Sequence, residues 1–127
     1  MQSGFLSIVT TVDGVESRFS CQADMELNAL SAVLCYKQED AEVVVRVFSG
    51  GIVVERKGDY GLRLDLREGG RTKGTLSIAG NEGEIDVYTE KAAYSISKSH
   101  LLVQLQYSLY FGQEKQDMRL RLSASLS

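Results

Sequence analysis

The stretch from Glu42 to Leu66, EVVVRVFSGGIVVERKGDYGLRLDL, constrains the fold more than any other part of the chain. It begins with a run of β-branched valines, whose stiff side chains suit a pleated sheet. Two glycine-containing clusters, Ser49–Gly51 and Gly58–Gly61, interrupt it, and glycine accepts the backbone angles of tight turns. Leucines then alternate with charged residues, which indicates one dry and one wet face. The stretch therefore predicts three antiparallel strands joined by two tight turns.

The same alternation and turn chemistry extend along the rest of the chain. Asp13-Gly14 is the strongest hairpin signal. A short helix over Asp24–Leu34 is an alternative to the end of the second strand, because Met, Glu, Leu and Ala favour helices, but the alternation continues into it. The length of the second strand predicts a bend or bulge, and Gly74 predicts a bend, a bulge or a close backbone approach. The further strands predicted are Phe5–Val12, Val15–Leu27, Ala32–Lys37, Arg71–Ala79, Glu84–Thr89 with an extended continuation through Ser97, Leu101–Phe111 and Gln116–Leu126.

Consecutive strands joined by tight turns form a meander. A flat meander would leave two long unpaired edges and a large exposed apolar face, whereas closure removes both problems. The chain has 127 residues, which suits one domain over residues 1–127. The sequence therefore predicts an all-β fold, an antiparallel meander closed into a β-barrel of about eight to ten strands.

Charge and hydropathy narrow the partners and the location. The net charge is −3, and an acidic balance without a basic patch argues against nucleic acid; Arg119 and Arg121 are the nearest approach to a basic stripe. No secretory signal pattern opens the chain, and no stretch approaches the ~20 apolar residues of a membrane span. We expect a cytoplasmic protein, monomer or homodimer, with a possible small-molecule ligand and neither nucleic acid nor membrane as a partner.

The residue types that carry most chemistry are sparse. His100, the only histidine, lies in a polar turn, and no Gly-x-Ser-x-Gly nucleophile motif is present. Cys21 and Cys35 are too few and too far apart for a zinc site, and we expect both to be reduced thiols in the core. The glycines of Glu68–Gly70 are not followed by a helix, as a phosphate-binding loop would require. The sequence predicts no catalytic residue, no metal site and no cofactor.

Arg56 is the most informative charged residue. If the Ser49–Gly51 turn has an even number of loop residues, Arg56 shares a face with Val43 and Val54. A three-residue turn would instead place Arg46 on the same side as Arg56. An inward arginine needs a carboxylate, carbonyls or an anionic ligand. The alternatives are an arginine at the rim that reaches solvent, or one paired within the protein.

Three polar residues on otherwise apolar faces complete the predicted ligand-binding set. Thr72, Thr89 and Tyr107 could each bond only to backbone, as buried threonines and tyrosines usually do. Together with Arg56, however, they are the groups expected to converge in a barrel mouth.

The order of these signals resembles a known family. The residues that carry the resemblance are Glu42–Phe48, Ile52–Gly58, Gly69, Thr72, Gly83-Glu84, Thr89, Leu101–Phe111 and Met118–Leu126. In them the chain resembles the YwiB-like family of bacterial proteins, which implies a calycin-like or lipocalin-like β-barrel and no catalytic or ligand residues to transfer. The chain departs from secreted lipocalins, because Gly4 is its only comparable early glycine and it has no tryptophan.

Two functions remain in competition. The first is a non-enzymatic binder of a small, partly apolar molecule inside the barrel or at its mouth. The alternative is a protein-interaction or structural module whose barrel is filled by its own side chains, and an enzyme is disfavoured. The side chains that would fill such a barrel are Phe5, Phe19, Met25, Phe48, Tyr107, Phe111 and Met118.

Overall fold

The computed structural model describes residues 1–127 as ten antiparallel strands without a helix. Each strand pairs with the next, and β1 pairs with β10, so the sheet closes. This confirms the predicted all-β fold and closed antiparallel meander. No segment forms a helix with the length and hydropathy of a membrane span. The strands are β1 (Gln2–Val12), β2 (Val15–Leu27), β3 (Ala32–Gln38), β4 (Ala41–Phe48), β5 (Gly51–Lys57), β6 (Tyr60–Leu66), β7 (Arg71–Ile78), β8 (Asn81–Ile96), β9 (His100–Phe111) and β10 (Glu114–Leu126).

The barrel has two distinct ends. The β1–β2, β3–β4, β5–β6, β7–β8 and β9–β10 turns lie at one end, which we call the lower end. The other turns and both chain termini lie at the upper end. Several turns are shorter than the sequence predicted. Two residues, Ala79-Gly80, join β7 to β8, and two residues, Gly112-Gln113, join β9 to β10. Positive φ angles at Ala79 (51°), Gly80 (82°) and Gly112 (63°) allow these short connections.

The core is aliphatic rather than aromatic. Inward-facing Leu, Val, Ile and Met side chains provide most of a cluster of 21 buried residues. The expectation that Phe5, Phe48 and Phe111 fill the interior is wrong. Phe5 and Phe48 lie on the outer face, because Phe5 is opposite the outward residues of β2 and β10, and Phe111 is exposed at the lower end.

The bulge predicted in the second strand lies in β8 instead. The β1–β2 register runs without interruption, and the strand rather than the alternative helix forms up to Leu27. In β8 the register shifts between Thr89, opposite Tyr107, and Lys91, opposite Gln106, so Glu90 is an extra residue. A one-residue insertion reverses the faces of all following side chains. As a result, Lys91 points outward.

The strand ladder between β2 and β3 is short. It contains the pairs from Asp24 and Cys35 to Leu27 and Ala32 only, and the lower part of β2 has no partner in β3. There the rings of Phe19 and Tyr36 face each other with centroids 6.2 Å apart. The barrel wall therefore has a gap between these strands that extends to the lower end.

Candidate functional site

The inner wall has both fully buried and partly exposed side chains. Large inward side chains of the upper half, such as Leu6, Met25, Leu66 and Leu101, are fully buried. Inward Leu27, Ile96 and Leu126 at the upper rim are partly exposed. Nearer the lower end, where Val43, Ile85 and Leu109 are buried, six large inward side chains are partly exposed as well. These partly exposed residues are Phe19, Tyr36, Leu62, Leu76, Met118 and Leu120. We call this surface the lower mouth.

Inward-facing glycines give an independent measure of free space. A Cβ added to Gly4 would lie 2.5 Å from the Sδ of Met25, and one added to Gly74 would lie 2.9 Å from a methyl carbon of Leu64. The Cβ added to Gly74 would also lie 2.9 Å from the carbonyl oxygen of Arg63. The neighbouring backbone therefore approaches Gly74 closely, as the sequence predicted. A Cβ on Gly83, at the lower end, would meet nothing within 4 Å. A methyl group would therefore be crowded at Gly4 and Gly74 and unhindered at Gly83.

Arg56 lies at the rim of the lower mouth. The turn between β4 and β5 is Ser49-Gly50, an even length, so Arg56 faces inward opposite Val43 and Leu62. Its guanidinium donates to the carbonyl oxygen of Tyr60 at 2.7 Å and to Asp59 Oδ1 at 2.9 Å. It also stacks on the Tyr60 ring, with its central carbon 3.7 Å from the ring centroid. These contacts lower the pKa of the Asp59 carboxyl, chiefly through the hydrogen bond from Arg56.

The other three predicted residues lie on neighbouring strands. Thr89 and Tyr107 are directly opposite each other on the inner face of β8 and β9. Thr72 is opposite Val87 and donates to the carbonyl oxygen of Asp65 at 2.6 Å, which satisfies its hydroxyl within the protein. The Thr89 hydroxyl is fully buried and has no hydrogen-bond partner. The fold therefore brings Thr89 and Tyr107 together, whereas Arg56 occupies a separate part of the wall.

Tyr36 connects these two parts and was missed from the sequence. It is opposite Val43, which is in turn opposite Arg56. Burial raises the pKa of Tyr36 to about 12, with Cys21 contributing, and burial raises that of Tyr107 to about 12, with Tyr36 contributing. Both phenols are therefore neutral hydrogen-bond donors at physiological pH. The alternation Ala32, Leu34, Tyr36 in β3 was the signal that could have identified Tyr36 as inward.

The two phenols predict an alkaline loss of stability. Each phenol binds its proton more tightly in the folded than in the unfolded chain. Their contribution to the free energy of unfolding is therefore fully present below a pH of about 10. It should be lost as the pH rises toward the folded pKa of about 12. Urea unfolding at pH 8, 10 and 11 measures this, and Tyr107→Phe should flatten the dependence. The exposed phenol removed by Tyr94→Phe is the matched control; an equal effect of both changes would contradict the assignment.

Comparison with known proteins identifies the family. A family model described as a domain of unknown function, DUF1934, matches residues 8–122. The chain belongs to the DUF1934 family. Among solved structures, the ywiB protein from Bacillus subtilis superposes with a TM-score of 0.83 at 14% identity, over 99% of this chain and 92% of that one. This confirms the resemblance to YwiB-like proteins and the barrel fold. The search of curated proteins finds no match.

The DUF1934 barrel also has a pocket in its wall at the gap between β2 and β3. Its volume is about 470 Å³, and its lining includes inward Cys21 and Tyr36 and outward Cys35. Both cysteines are unbonded. No group of three or more His, Cys, Asp or Glu side chains is arranged to hold a metal ion. His100 contacts the Ser99 hydroxyl at 2.9 Å in an exposed turn of the upper end.

The thiols of this DUF1934 protein should react slowly while it is folded. Burial raises the pKa of both Cys21 and Cys35, and the thiolate is the reactive form. We expect Ellman's reagent at pH 7.5 to modify both cysteines much faster in urea than in buffer. Rapid modification of the folded protein, or an intramolecular disulfide found by mass spectrometry in freshly purified protein, would contradict this.

Proposed function

We propose that the protein is a non-enzymatic binder of a small, partly apolar molecule at the lower mouth of the barrel. The observation that carries this proposal is the contrast between the two halves of the inner wall. Apolar side chains such as Leu62 and Met118 face inward yet remain partly exposed, while Leu6, Met25, Leu66 and Leu101 of the upper half are fully buried. Exposed apolar surface in a concave site is the usual lining of a ligand pocket.

Polar groups around this surface support a ligand with an anionic or carbonyl group. Arginine has five N–H donors. Within the protein, Arg56 Nη1 donates to the Tyr60 carbonyl oxygen and Arg56 Nη2 donates to Asp59. The remaining donors suit a carboxylate or sulfonate, which a planar guanidinium binds well. Tyr36 and Tyr107 add neutral phenols deeper in the mouth. These groups fix orientation, while the leucines and Met118 provide apolar contact.

A specific observation favours the second candidate function, a protein-interaction module. Fully buried large side chains and the crowded Gly4 position leave little room for a ligand in the upper half of the barrel. Beyond the bulge, the segment from Lys91 to Ile96 pairs with β9 alone, and its other edge has no partner strand, although the Ala92 amide donates to Glu68 Oε1 at 3.1 Å. An uncovered strand edge is a template for pairing with another chain.

A cytoplasmic location forms part of the proposal. Cys21 and Cys35 are both unbonded, which is the common state of thiols in a reducing compartment. Fractionation of the producing cell with an antibody to the protein tests this location.

Fluorescence of anilinonaphthalene sulfonate, a partly apolar anion, tests the proposed function. We expect saturable enhancement by the folded protein. Leu62→Gln places a polar group in the lower mouth and should weaken binding at least fivefold. The matched control is Leu102→Gln, which changes an exposed leucine on the outer face and should leave binding unchanged. Circular dichroism establishes that both variants remain folded.

The outcome also decides between the two candidate functions. Absence of saturable binding, or equal losses in the two variants, would contradict the lower mouth as the site and favour the interaction module. Arg56→Gln then tests the anchor. A folded variant with weaker sulfonate binding supports a ligand role, whereas unchanged binding would leave Arg56 as a structural partner of Asp59 and Tyr60.

A further inference from the structure

The bulge at Glu90 places a lysine on the outer wall. Along β8, Val87 and Thr89 face inward, so uninterrupted alternation would send Lys91 inward as well. The extra residue instead aligns Lys91 with Gln106 on the outer face and directs Ala92 inward. Bulges commonly re-aim a side chain in this way. The consequence is a cation added to a face that already carries two others.

Arg119 and Arg121 are these two cations, both on the outer face of β10. Gln106 lies between Lys91 and Arg119 in one cross-strand row, and Gln104 is opposite Arg121 in the next row. The side chains border a groove of about 330 Å³. This volume lies at the lower end of the range of small-molecule sites. Besides the three cations, its lining includes Val9, Thr11 and Gln104.

The three cations of the groove lack the carboxylate partners that seven other Lys and Arg side chains of the barrel have. No carboxylate lines the groove, and neither Lys91, Arg119 nor Arg121 forms a salt bridge. Two carboxylates lie near the groove, and each accepts a hydrogen bond from another side chain. Glu90 accepts from Gln106 Nε2 at 2.8 Å. Asp117 accepts from the Ser108 hydroxyl at 2.8 Å and is 3.5 Å from Lys115, and the charge of Arg119 also contributes to lowering the pKa of the Asp117 carboxyl.

We propose that this groove is a second binding site, specific for a small molecule that carries two or more phosphate groups. Arginine forks bind phosphate oxygens in pairs, and Lys91 adds a point charge across the groove. Arg119 and Arg121 are two residues apart in a strand, a spacing of about 6.8 Å, so each can hold a different phosphate. Thr11 and Gln104 supply neutral donors. No aromatic side chain lines the groove, which disfavours stacking with single-stranded nucleic acid.

Calorimetric titration with inorganic tripolyphosphate at low salt tests the proposal. We expect a single site with a Kd below about 1 mM that weakens as salt is added. The double variant Arg119→Gln/Arg121→Gln should bind at least tenfold more weakly. Lys91→Gln should give a smaller loss, and it keeps the proposal testable if the double variant does not fold.

The matched control removes the same charge from two exposed lysines outside the groove, in the variant Lys57→Gln/Lys98→Gln. It should bind as the original protein does. Three results would overturn the proposal: no binding by the original protein, equal losses in the control and groove variants, or tighter binding of a single-stranded oligonucleotide than of tripolyphosphate. The site is on the outer wall, so its failure leaves the proposal for the lower mouth untouched.

Discussion

The free energy of unfolding is expected to fall by about 2–5 kcal/mol when Leu101 is replaced by alanine. Leu101 is 0% exposed and belongs to the aliphatic cluster of the upper half. The change removes apolar contacts and leaves a cavity, because the surrounding strands are held by their ladders and relax only partly. Urea unfolding followed by circular dichroism measures the difference.

The next residue in the chain provides the matched control. Leu102 is on the opposite face of β9 and is 50% exposed. Leu102→Ala makes the same chemical change on the outer wall, and surface substitutions of this kind usually alter stability by less than about 0.5 kcal/mol. Similar losses for the two variants would contradict the assignment of the inner and outer faces in β9.

Replacing Gly4 by alanine should destabilise the barrel by about 1–3 kcal/mol, because an extra methyl group overpacks the interior. The added Cβ would lie 2.5 Å from the Sδ of Met25 and 2.5 Å from the carbonyl oxygen of Ser125. The Met25 side chain can move, but Ser125 belongs to the β10 backbone, which pairs with β1 at this point. The strain therefore falls on the seam that closes the barrel, and a lowered Tm should report it.

Gly83→Ala is the corresponding control at the lower end. Gly83 also faces inward, opposite Leu76, but its Cβ would meet nothing within 4 Å. This change should be neutral or stabilise by up to about 1 kcal/mol, since alanine restricts the unfolded chain. Equal destabilisation by both substitutions would contradict the contrast between a filled upper half and an open lower mouth.

Alternation and turn chemistry were enough to predict the fold from the sequence. In β9 the inward series Leu101, Val103, Leu105 follows directly from period two, and the even turn at Ser49-Gly50 sets the face of Arg56. Both are local properties of the chain. The register between the two strands of a hairpin depends on the length of the turn that joins them. That length can be read from the local sequence.

The features that the sequence did not reveal depend on register between strands or on a single inserted residue. The short β2–β3 ladder ends at Asp24 and Cys35, and this early end creates the gap at Tyr36. The bulge at Glu90 reversed the faces in the upper half of β8, which alternation alone could not predict. Arg56 showed its phase in the sequence, but its partners Asp59 and Tyr60 depend on the shape of the β5–β6 turn.

The pairing of β1 with β10 has a consequence for how the chain folds. Every other ladder joins strands that follow each other, but this one joins Gly4 to Leu126 and is supported by a bond from the Asp117 amide to Asp13, 104 residues away. Closure must therefore wait until a ribosome has released nearly the whole chain, and until then β1 is an open edge. Because the termini meet at the upper end, a circular permutant with new ends at Gly112-Gln113 would turn this distant pairing into a local one. The β9–β10 ladder would then become the distant one, so the permutant should fold no faster than the natural chain order.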